Sequence, residues 1–497
     1  MVKSEIRLRY SGLIIFAANI VGIATGLAFQ LMIARSVTPQ EYGMLFNIGD
    51  VTAYFTILAG VVPFWALRFT ARAKQGAIKT AVATNMAVSI AAAIIYILFT
   101  PLITSTLGIG QKYVSLYLLA SAQIIELYVL SALESCLQAK TPHVLGYGLL
   151  LGEICKVALG YMLIIGFQLS LFGALISMII GVATRLAYYL KLLWEDLKGR
   201  IEWAYVKEWL KGSIANIYNL IGNQIAAFIF ILLFTYGGEE GRGYYGAAAQ
   251  IAGMVTYSSF LAFALYPKLL AERDSKDVTA SLKTVLMFAI PMAAGALAIP
   301  DSYLTILKVE YGEAWPILMV LAVDGLVATI STIFIYVLYG FEKIDEKAKI
   351  SFRELVKSRL FVAFSLTYIH SAITLPATFY ILTHYTRSQP LQSALCVAVI
   401  NSAARFAMFL ILYVMVCGVT EIKIPWRNIA KYIFASAVMG FVLYLIPHPT
   451  RISLTLAVTA LGGIIYFGLL LAIDGEARLL VKAVWREIES RFKRGVA

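Results

Sequence analysis

The stretch ARSVTPQEYGMLFNIGD, residues 34–50, puts a short polar break between two long apolar runs. Pro39 interrupts a helix arriving from its N-terminal side, and Gly43 has the backbone freedom for a tight re-entry. A second piece, GEEGRGYYGAAAQIAG, residues 238–253, again joins two apolar runs. Each reads as a hairpin between two apolar segments that cannot stay in water.

Composition decides what those segments are. The chain has 497 residues, 60% hydrophobic and 14% charged, with a mean hydropathy of +0.81. Soluble domains carry about 25% charged residues. A soluble body of this length would lack the polar surface to cover itself, so lipid is the solvent. Only helices and closed barrels satisfy every backbone polar group in a bilayer. The runs are about 20 residues or longer, which suits a helix; a barrel strand needs about 10 with alternation. The fold class is all-α and polytopic, with about fourteen transmembrane helices between residues 10 and 473. The N-terminal Lys3, Arg7 and Arg9 precede an apolar run from Tyr10 to Ala34 that is too long for a signal-peptide core and reads as the first span. The four cysteines lie in or at the ends of apolar runs without metal-ligand spacing, as small packing residues do.

The basic residues orient the chain. Of the 41 Lys and Arg, only Arg35, Lys112, Arg242, Lys308, Arg387 and Arg451 fall on the side away from the termini, and Lys156, Arg185 and Arg405 fall inside spans. The positive-inside bias therefore puts both termini in the cytoplasm of a cell-membrane protein. The net charge of +13 is a topology signal and requires no nucleic-acid partner. Two cytoplasmic segments are amphipathic. Residues 194–212 set Trp203, Val206 and Trp209/Leu210 on one helical face, and the tail sets Leu480, Val484, Ile488 and Phe492 four apart. Both suit helices lying in the headgroup layer.

The two hairpins also mark a repeat. Laying Tyr42-Gly43 on Tyr245-Gly246 brings Asn47-Ile48 onto Gln250-Ile251, and with one residue of slippage ALRFTAR (66–72) onto YPKLLAER (266–273). Six spans per half is an even number, so the halves share one orientation, as in a parallel repeat with a central cleft. The expected organisation is an N-terminal lobe (1–193, spans one to six), an amphipathic linker (194–212), a C-terminal lobe (213–416, spans seven to twelve), an extra helix pair (417–473) and a basic tail (474–497).

LMIARSVTPQEYGMLFNIGDVTAYFTILAGVVPFWALRFTAR, residues 31–72, resembles the first two spans of the polysaccharide-exporter, lipid-linked oligosaccharide flippase family of the MOP (multidrug/oligosaccharidyl-lipid/polysaccharide) superfamily. LTILKVEYGEAWPILMVLAVDGLVATISTIFIYVLYGFEK, residues 304–343, is similar to that family's segment joining spans nine and ten. The resemblance implies translocation of a polyprenyl- or dolichyl-linked oligosaccharide by alternating access of two lobes.

Polar groups inside spans are costly and face the interior or a cavity. Asn47, Asp50 and Tyr54 share one face of span two, and Asn19, Gly22, Gly26 and Gln30 share one face of span one. Asn216, Asn219 and Asn223 line span seven beside Gln224, and Gln250, Gly253 and Tyr257 line span eight. Neutral donors and acceptors at equivalent places in both halves suit sugar hydroxyls in a central cleft; taken singly, each also suits interhelical bonding. Asp50 is the sharpest carboxylate, placed to bind a cation or proton or to orient an arginine. Glu126 and Glu134 share a face of span four, Glu153 and Lys156 are three apart in span five, and Arg185 lies in span six. Asp324, Arg405 and a lone His370 complete the intramembrane set. These charges form either a self-satisfied network or an ion-coupling route. A diphosphate headgroup wants cations, arginine above all, and Arg35 and Arg68 cap spans one and two at opposite faces.

There is no phosphate-binding glycine loop, metal-ligand cluster or nucleophile–base set, so the chain reads as a non-enzyme without a cofactor, H+ or Na+ remaining as a coupling ion. The expected partners are a lipid-linked glycan, membrane lipids and glycan-assembly enzymes. The expected function is export of a lipid-linked oligosaccharide. A cation-coupled multidrug antiporter of the same superfamily is the alternative. A membrane glycosyltransferase is disfavoured because every outer loop is short.

Overall fold

The computed structural model describes residues 18, 21–262, 265, 269, 275–341, 359–479 and 482. Asn19 and the tail positions Leu480, Val484, Ile488 and Phe492 lie outside the described residues. Among the described residues the chain forms helices and no strand. Its helices begin with α1 (Val21–Ser36), α2 (Pro39–Phe55), α3 (Val61–Ala71), α4 (Ala77–Thr106) and α5 (Val114–Lys140). They continue with α6 (His143–Gly160), α7 (Ser170–Leu192), the short α8 (Trp203–Gly212), α9 (Ile214–Thr256), α10 (Ser275–Ala298) and α11 (Pro300–Leu307). The last five are α12 (Trp315–Phe341), α13 (Arg359–His384), α14 (Pro390–Cys417), α15 (Trp426–Leu445) and α16 (Ile452–Ile473).

Among the described residues eleven helices are long and apolar enough to cross a bilayer, or twelve if the bent pair α2–α3 counts as one span. The sequence expectation of about fourteen differs for three reasons. Span one is described only from Val21. Span two is two helices meeting at 60°, with a 3-10 turn, Ile57–Gly60, between them. Spans seven and eight fall in one stretch, Asn216–Ala262, that counts once although Gly238 breaks it into two helices. Lipid-facing surface is apolar throughout α4, where Leu98 is 72% exposed amid Ile94, Phe99 and Leu102. Contiguous apolar surface of this kind has no place on a soluble monomer.

Both hairpins of the sequence reading are refined. The chain turns between α1 and α2 through Val37 and Thr38 alone. Thr38 Oγ1 accepts from the Glu41 N–H at 3.2 Å, and Glu41 Oε2 accepts from the Thr38 N–H at 3.1 Å, a closed capping box with Pro39 in the first turn. Gly43 is therefore inside a helix and not in the turn. The stretch from Gly238 does separate two helices. Gly238, at φ 85° and ψ 161°, leaves helical geometry and breaks α9 into a part before it and a part after it. Gly43 serves close packing instead. A Cβ there would overlap the Glu239 carbonyl and stand 2.8 Å from the Gly243 nitrogen, and a Cβ on Gly243 would overlap the Pro39 carbonyl. Backbone meets backbone at this point.

The chain divides into two compact units, residues 1–243 with 367–394, and residues 244–366 with 395–497. The first has a core in which Phe69, Leu133, Tyr189 and Trp209 are buried. α8 is amphipathic as the sequence predicts, with Trp203 71% and Leu210 54% exposed. Trp209 departs from that face: it is fully buried, with its ring centroid 5.4 Å from Phe69 and 6.1 Å from Tyr205. The bulky indole fills a gap beside α3 rather than facing lipid. In the second unit α10, α15 and α16 pack around Val285, Met287, Tyr432, Leu443 and Tyr466, and the Tyr466 hydroxyl donates to the Met287 carbonyl at 2.6 Å. Just past α16, buried Asp474 accepts from Asn428 Nδ2 at 3.2 Å, from the Glu476 N–H at 3.0 Å and from Lys431 Nζ at 3.4 Å. Burial alone would raise this carboxyl, but the Glu476 N–H, Asn428 and the Lys431 charge outweigh burial and hold it below its ordinary range.

Two outcomes test this packing. Gly43→Ala and Gly243→Ala are each expected to lower the thermal midpoint in detergent, at a cost of about 1–3 kcal/mol for forced overpacking. Gly468→Ala, where nothing lies within 4 Å of the added carbon, leaves it unchanged or slightly higher. Equal midpoints for Gly43→Ala and wild type would refute the backbone contact. For Asp474 the folded carboxyl lies below the unfolded one, so its stabilisation is present above the unfolded value of about 3.9 and lost as pH falls through the folded value. A midpoint-versus-pH series from 7 down to about 3 should therefore decline more steeply in wild type than in Asp474→Asn.

Candidate functional site

Of the roles the sequence left open for Asp50, orienting an arginine is the one the structure shows, and the arginine is Arg242. Asp50 forms a two-point ion pair with Arg242, Nε to Oδ2 at 2.7 Å and Nη2 to Oδ1 at 3.0 Å. The side chains are 15% and 7% exposed respectively. The guanidinium carbon also lies 4.8 Å from the centroids of both Phe46 and Phe230. A planar cation suits this place: it forks onto a carboxylate and presents its faces to aromatic rings.

This pair belongs to a longer seam within the first unit. The Tyr54 hydroxyl donates to the Gln224 carbonyl at 3.1 Å, Asn216 Nδ2 reaches the Gly60 carbonyl at 3.5 Å, and Trp65 Nε1 donates to Ser213 Oγ at 2.8 Å. From Tyr54 to Trp65 the residue numbers rise while those of their partners fall from Gln224 to Ser213. The bent pair α2–α3 thus runs antiparallel against the part of α9 before Gly238, while Gly43 and Asp50 meet residues just past that break. Helix α2 bends because a 3-10 turn replaces α-helix at Ile57–Gly60, which frees the Gly60 carbonyl for Asn216.

The other predicted residues fall into distinct settings. Asn47 is fully buried, and its Oδ1 accepts from the Tyr117 hydroxyl at 2.5 Å. It packs α2 on α5. Gln30 accepts from the Tyr42 hydroxyl at 2.8 Å, tying α1 to α2. Arg35 is exposed at the end of α1. Arg68 lies over the Phe64 ring at 3.7 Å and donates to the Phe64 carbonyl at 3.1 Å. Asn219 is half-buried and Asn223 exposed on α9. Gln250 is half-buried and belongs to the second unit.

Most of the intramembrane charges neutralise one another. Glu153 binds Lys156 at 2.7 Å and accepts from the Thr25 hydroxyl at 2.9 Å, joining α6 to α1. Arg185 pairs with Glu134 across α7 and α5. In the second unit Arg405 pairs with Asp324 at 2.7 Å, at a cavity of about 480 Å³ otherwise walled by apolar side chains and Ser402. Glu126 differs. It is buried, its Oε2 has no hydrogen-bond partner, and it lines a cavity of about 310 Å³ with Thr52, Gln123 and Met178. His370 is half-buried on α13. Arg242 is the residue that sequence reasoning misplaced, as an outer-loop charge. Its signal is available in hindsight: basic residues are scarce on that side, and this one stands between glycines that let helices approach.

This architecture is that of an all-α polytopic membrane protein. No family model and no curated protein matches the chain. Solved structures do share its fold. The lipid II flippase MurJ, in an inward closed conformation, superposes with a TM-score of 0.69 at 14% identity, covering 94% of this chain and 100% of its own. An inward-facing multidrug resistance MATE family transporter of the MOP superfamily gives 0.58 at 14% identity, covering 80% and 95%. A MOP superfamily transporter from Pyrococcus furiosus gives 0.50 at 14% identity, covering 84% and 96%. The chain has the fold of the MOP superfamily transporters.

The ion pair sets the prediction. Asp50→Asn and Arg242→Gln should each destabilise the protein strongly, by about 3–5 kcal/mol, since either removes the opposite charge of a buried ion pair. The double variant should cost less than the sum of the two. Thermal unfolding of all four proteins in one detergent measures the cycle; additive losses would show that the residues do not interact.

Proposed function

We propose that the protein is a flippase or exporter that moves a lipid-linked oligosaccharide, or a polysaccharide precursor, across the cell membrane. The observation that carries this reading is the extent of the likeness. The lipid II flippase fold accounts for 94% of the chain and the multidrug transporter fold for 80%. The C-terminal pair α15–α16 packs on α10 as an integral part of the second unit. The neighbours are transporters, which agrees with a non-enzymatic role.

On this reading the lobes of residues 1–193 and 213–416 expose a central cleft to each side in turn, with both termini cytoplasmic. Asn216, Asn219, Asn223 and Gln250 supply neutral hydrogen-bonding groups to the glycan, while Arg35 and Arg68 serve the diphosphate at opposite faces. H+ or Na+ is the coupling ion if one is used. Asn47, buried against Tyr117, has a packing role in this scheme. Asp50 holds Arg242, and that weighs against its use as a drug-antiport cation site.

Reconstitution with a fluorescent polyprenyl-diphosphate oligosaccharide tests the proposal. An outside quencher should reach more label than in protein-free vesicles. Asn219→Ala with Asn223→Ala should slow that rise while leaving the thermal midpoint near wild type. Asn47→Ala should lower the midpoint, by about 1–3 kcal/mol for the broken buried bond. No rise in accessible label, together with efflux of a fluorescent organic cation, would replace this reading by the antiporter.

A further inference from the structure

The second unit carries a concentrated positive patch that the transport reading does not use. Two neighbouring pockets open where α10 and α15 begin and α16 ends, and both are bordered by Glu476. One, about 440 Å³, is lined by Lys276, Lys283 and Lys423. The other, about 590 Å³, is lined by Arg427, Lys431, Arg478 and Lys482. Asp474 and Glu476 are the acidic groups lining them, so cations outnumber anions in both. The acids are engaged: Lys283 binds Glu476 at 2.8 Å and Lys431 binds Asp474 at 3.4 Å. Those pairs fix the walls. Lys423, Arg427, Arg478 and Lys482 are exposed and remain to meet an outside anion.

The surroundings select the kind of anion. The patch sits at the ends of three spans, at headgroup level. Trp426 opens α15 at 69% exposure, in the manner of an interfacial aromatic anchor, and Leu479, which lines the second pocket, is 68% exposed. Met287, Ala280 and Ala477 form apolar wall beneath the lysines of the first pocket. A free phosphate would use the cations and leave this apolar border unused. A membrane lipid uses both. Basic pockets between transmembrane helices at the membrane face are where multiply phosphorylated lipid headgroups bind.

From two adjoining cationic pockets with an apolar border we infer that this face is a binding site for an anionic bilayer lipid whose headgroup carries two phosphates. One phosphate sits near Lys423 and Lys283. The other sits among Arg427, Arg478 and Lys482, and the acyl chains lie along α15 and α16. Such a lipid bridges the first turns of α10 and α15 to the end of α16. It thereby holds the C-terminal pair against the rest of its unit. The inference does not depend on what the protein transports.

Cardiolipin is the probe. Purified full-length protein should show a higher thermal midpoint with cardiolipin than with phosphatidylglycerol, and higher with either than with phosphatidylcholine. The variant Lys423→Gln, Arg427→Gln, Arg478→Gln, Lys482→Gln should keep the wild-type midpoint in phosphatidylcholine and lose the cardiolipin increment. Each surface cation near an anionic membrane is worth roughly fivefold in affinity, so the four together should weaken retention by several hundredfold, on the order of what native mass spectrometry resolves as loss of bound lipid. A control removes four exposed cations from the first unit, Lys191→Gln, Arg200→Gln, Lys207→Gln and Lys211→Gln, and should keep the increment. If the control loses it equally, the effect is general charge and the site is refuted. Retention of the increment by the first variant refutes it too. A full shift from inorganic pyrophosphate alone would show a site for a soluble anion and overturn the lipid assignment. Should the fourfold variant already melt lower in phosphatidylcholine, Arg427→Gln with Arg478→Gln gives the same readout with a smaller loss, and no loss there is again a refutation.

Discussion

A charge placed within a transmembrane span must find its counter-charge there, and in the first unit that requirement is met by Asp50 and Arg242. Next to this pair the bent α2–α3 lies antiparallel to the part of α9 before Gly238. The approach is set by glycine. With Gly43 and Gly243 lacking Cβ atoms, the backbones touch, and the Arg242 guanidinium can reach the carboxylate with Phe46 and Phe230 near it. Any side chain at either glycine would separate the helices and leave both charges in an apolar interior, where an unpaired ion costs several kcal/mol. Close packing and ion pairing are thus one constraint.

The same rule organises the remaining charges. Glu134 with Arg185, Glu153 with Lys156 and Asp324 with Arg405 each join two elements or two turns of one helix, and each pair lies inside a single unit. Such pairs do little for net stability compared with well-packed apolar residues. They do fix register, since a slip of one helix past another would strand both charges. Glu126 is the departure, a buried carboxyl facing a cavity with one oxygen unbonded. Neither register nor packing accounts for a carboxyl there, because a methionine would fill the same space without the desolvation cost.

Much of this was legible in the sequence, and the limits were physical. Lipid as solvent follows from composition alone, and helix follows from run length. The Glu153–Lys156 pair was readable because spacing of three along one helix is a local geometry. The Asp50–Arg242 pair was not, since 192 positions separate them and no local rule links such residues. The glycine-flanked arginine looked like a loop residue because glycine at a polar site more often marks a turn than a helix contact. Hydropathy likewise could not show that span two bends at Ile57–Gly60, because so short a break leaves an apolar window nearly unchanged, whereas the glycine-rich joint at Gly238 was readable. The amphipathic pattern of α8 was right as a periodicity, while Trp209 showed that a wide aromatic can serve the protein core from the edge of the lipid face.

The seam also bears on how an alternating-access cycle would spend its energy. Glycine contacts do not interlock, so helices joined by Gly43 and Gly243 separate without rotamer changes. The Asp50–Arg242 pair behaves oppositely. Parting two charges in an apolar interior is prohibitive, but parting them into water exchanges one set of partners for another at small net cost. On the proposed cycle, then, this seam opens only together with entry of water from the side to which it opens. The glycines make the contact reversible and the ion pair makes its opening conditional on hydration. A seam of interdigitated leucines would be held shut by packing whatever the water did, and a seam of glycines alone would have nothing to favour closure. On that proposed cycle the combination at Gly43, Asp50, Arg242 and Gly243 would provide a closure that is specific in register and still able to release.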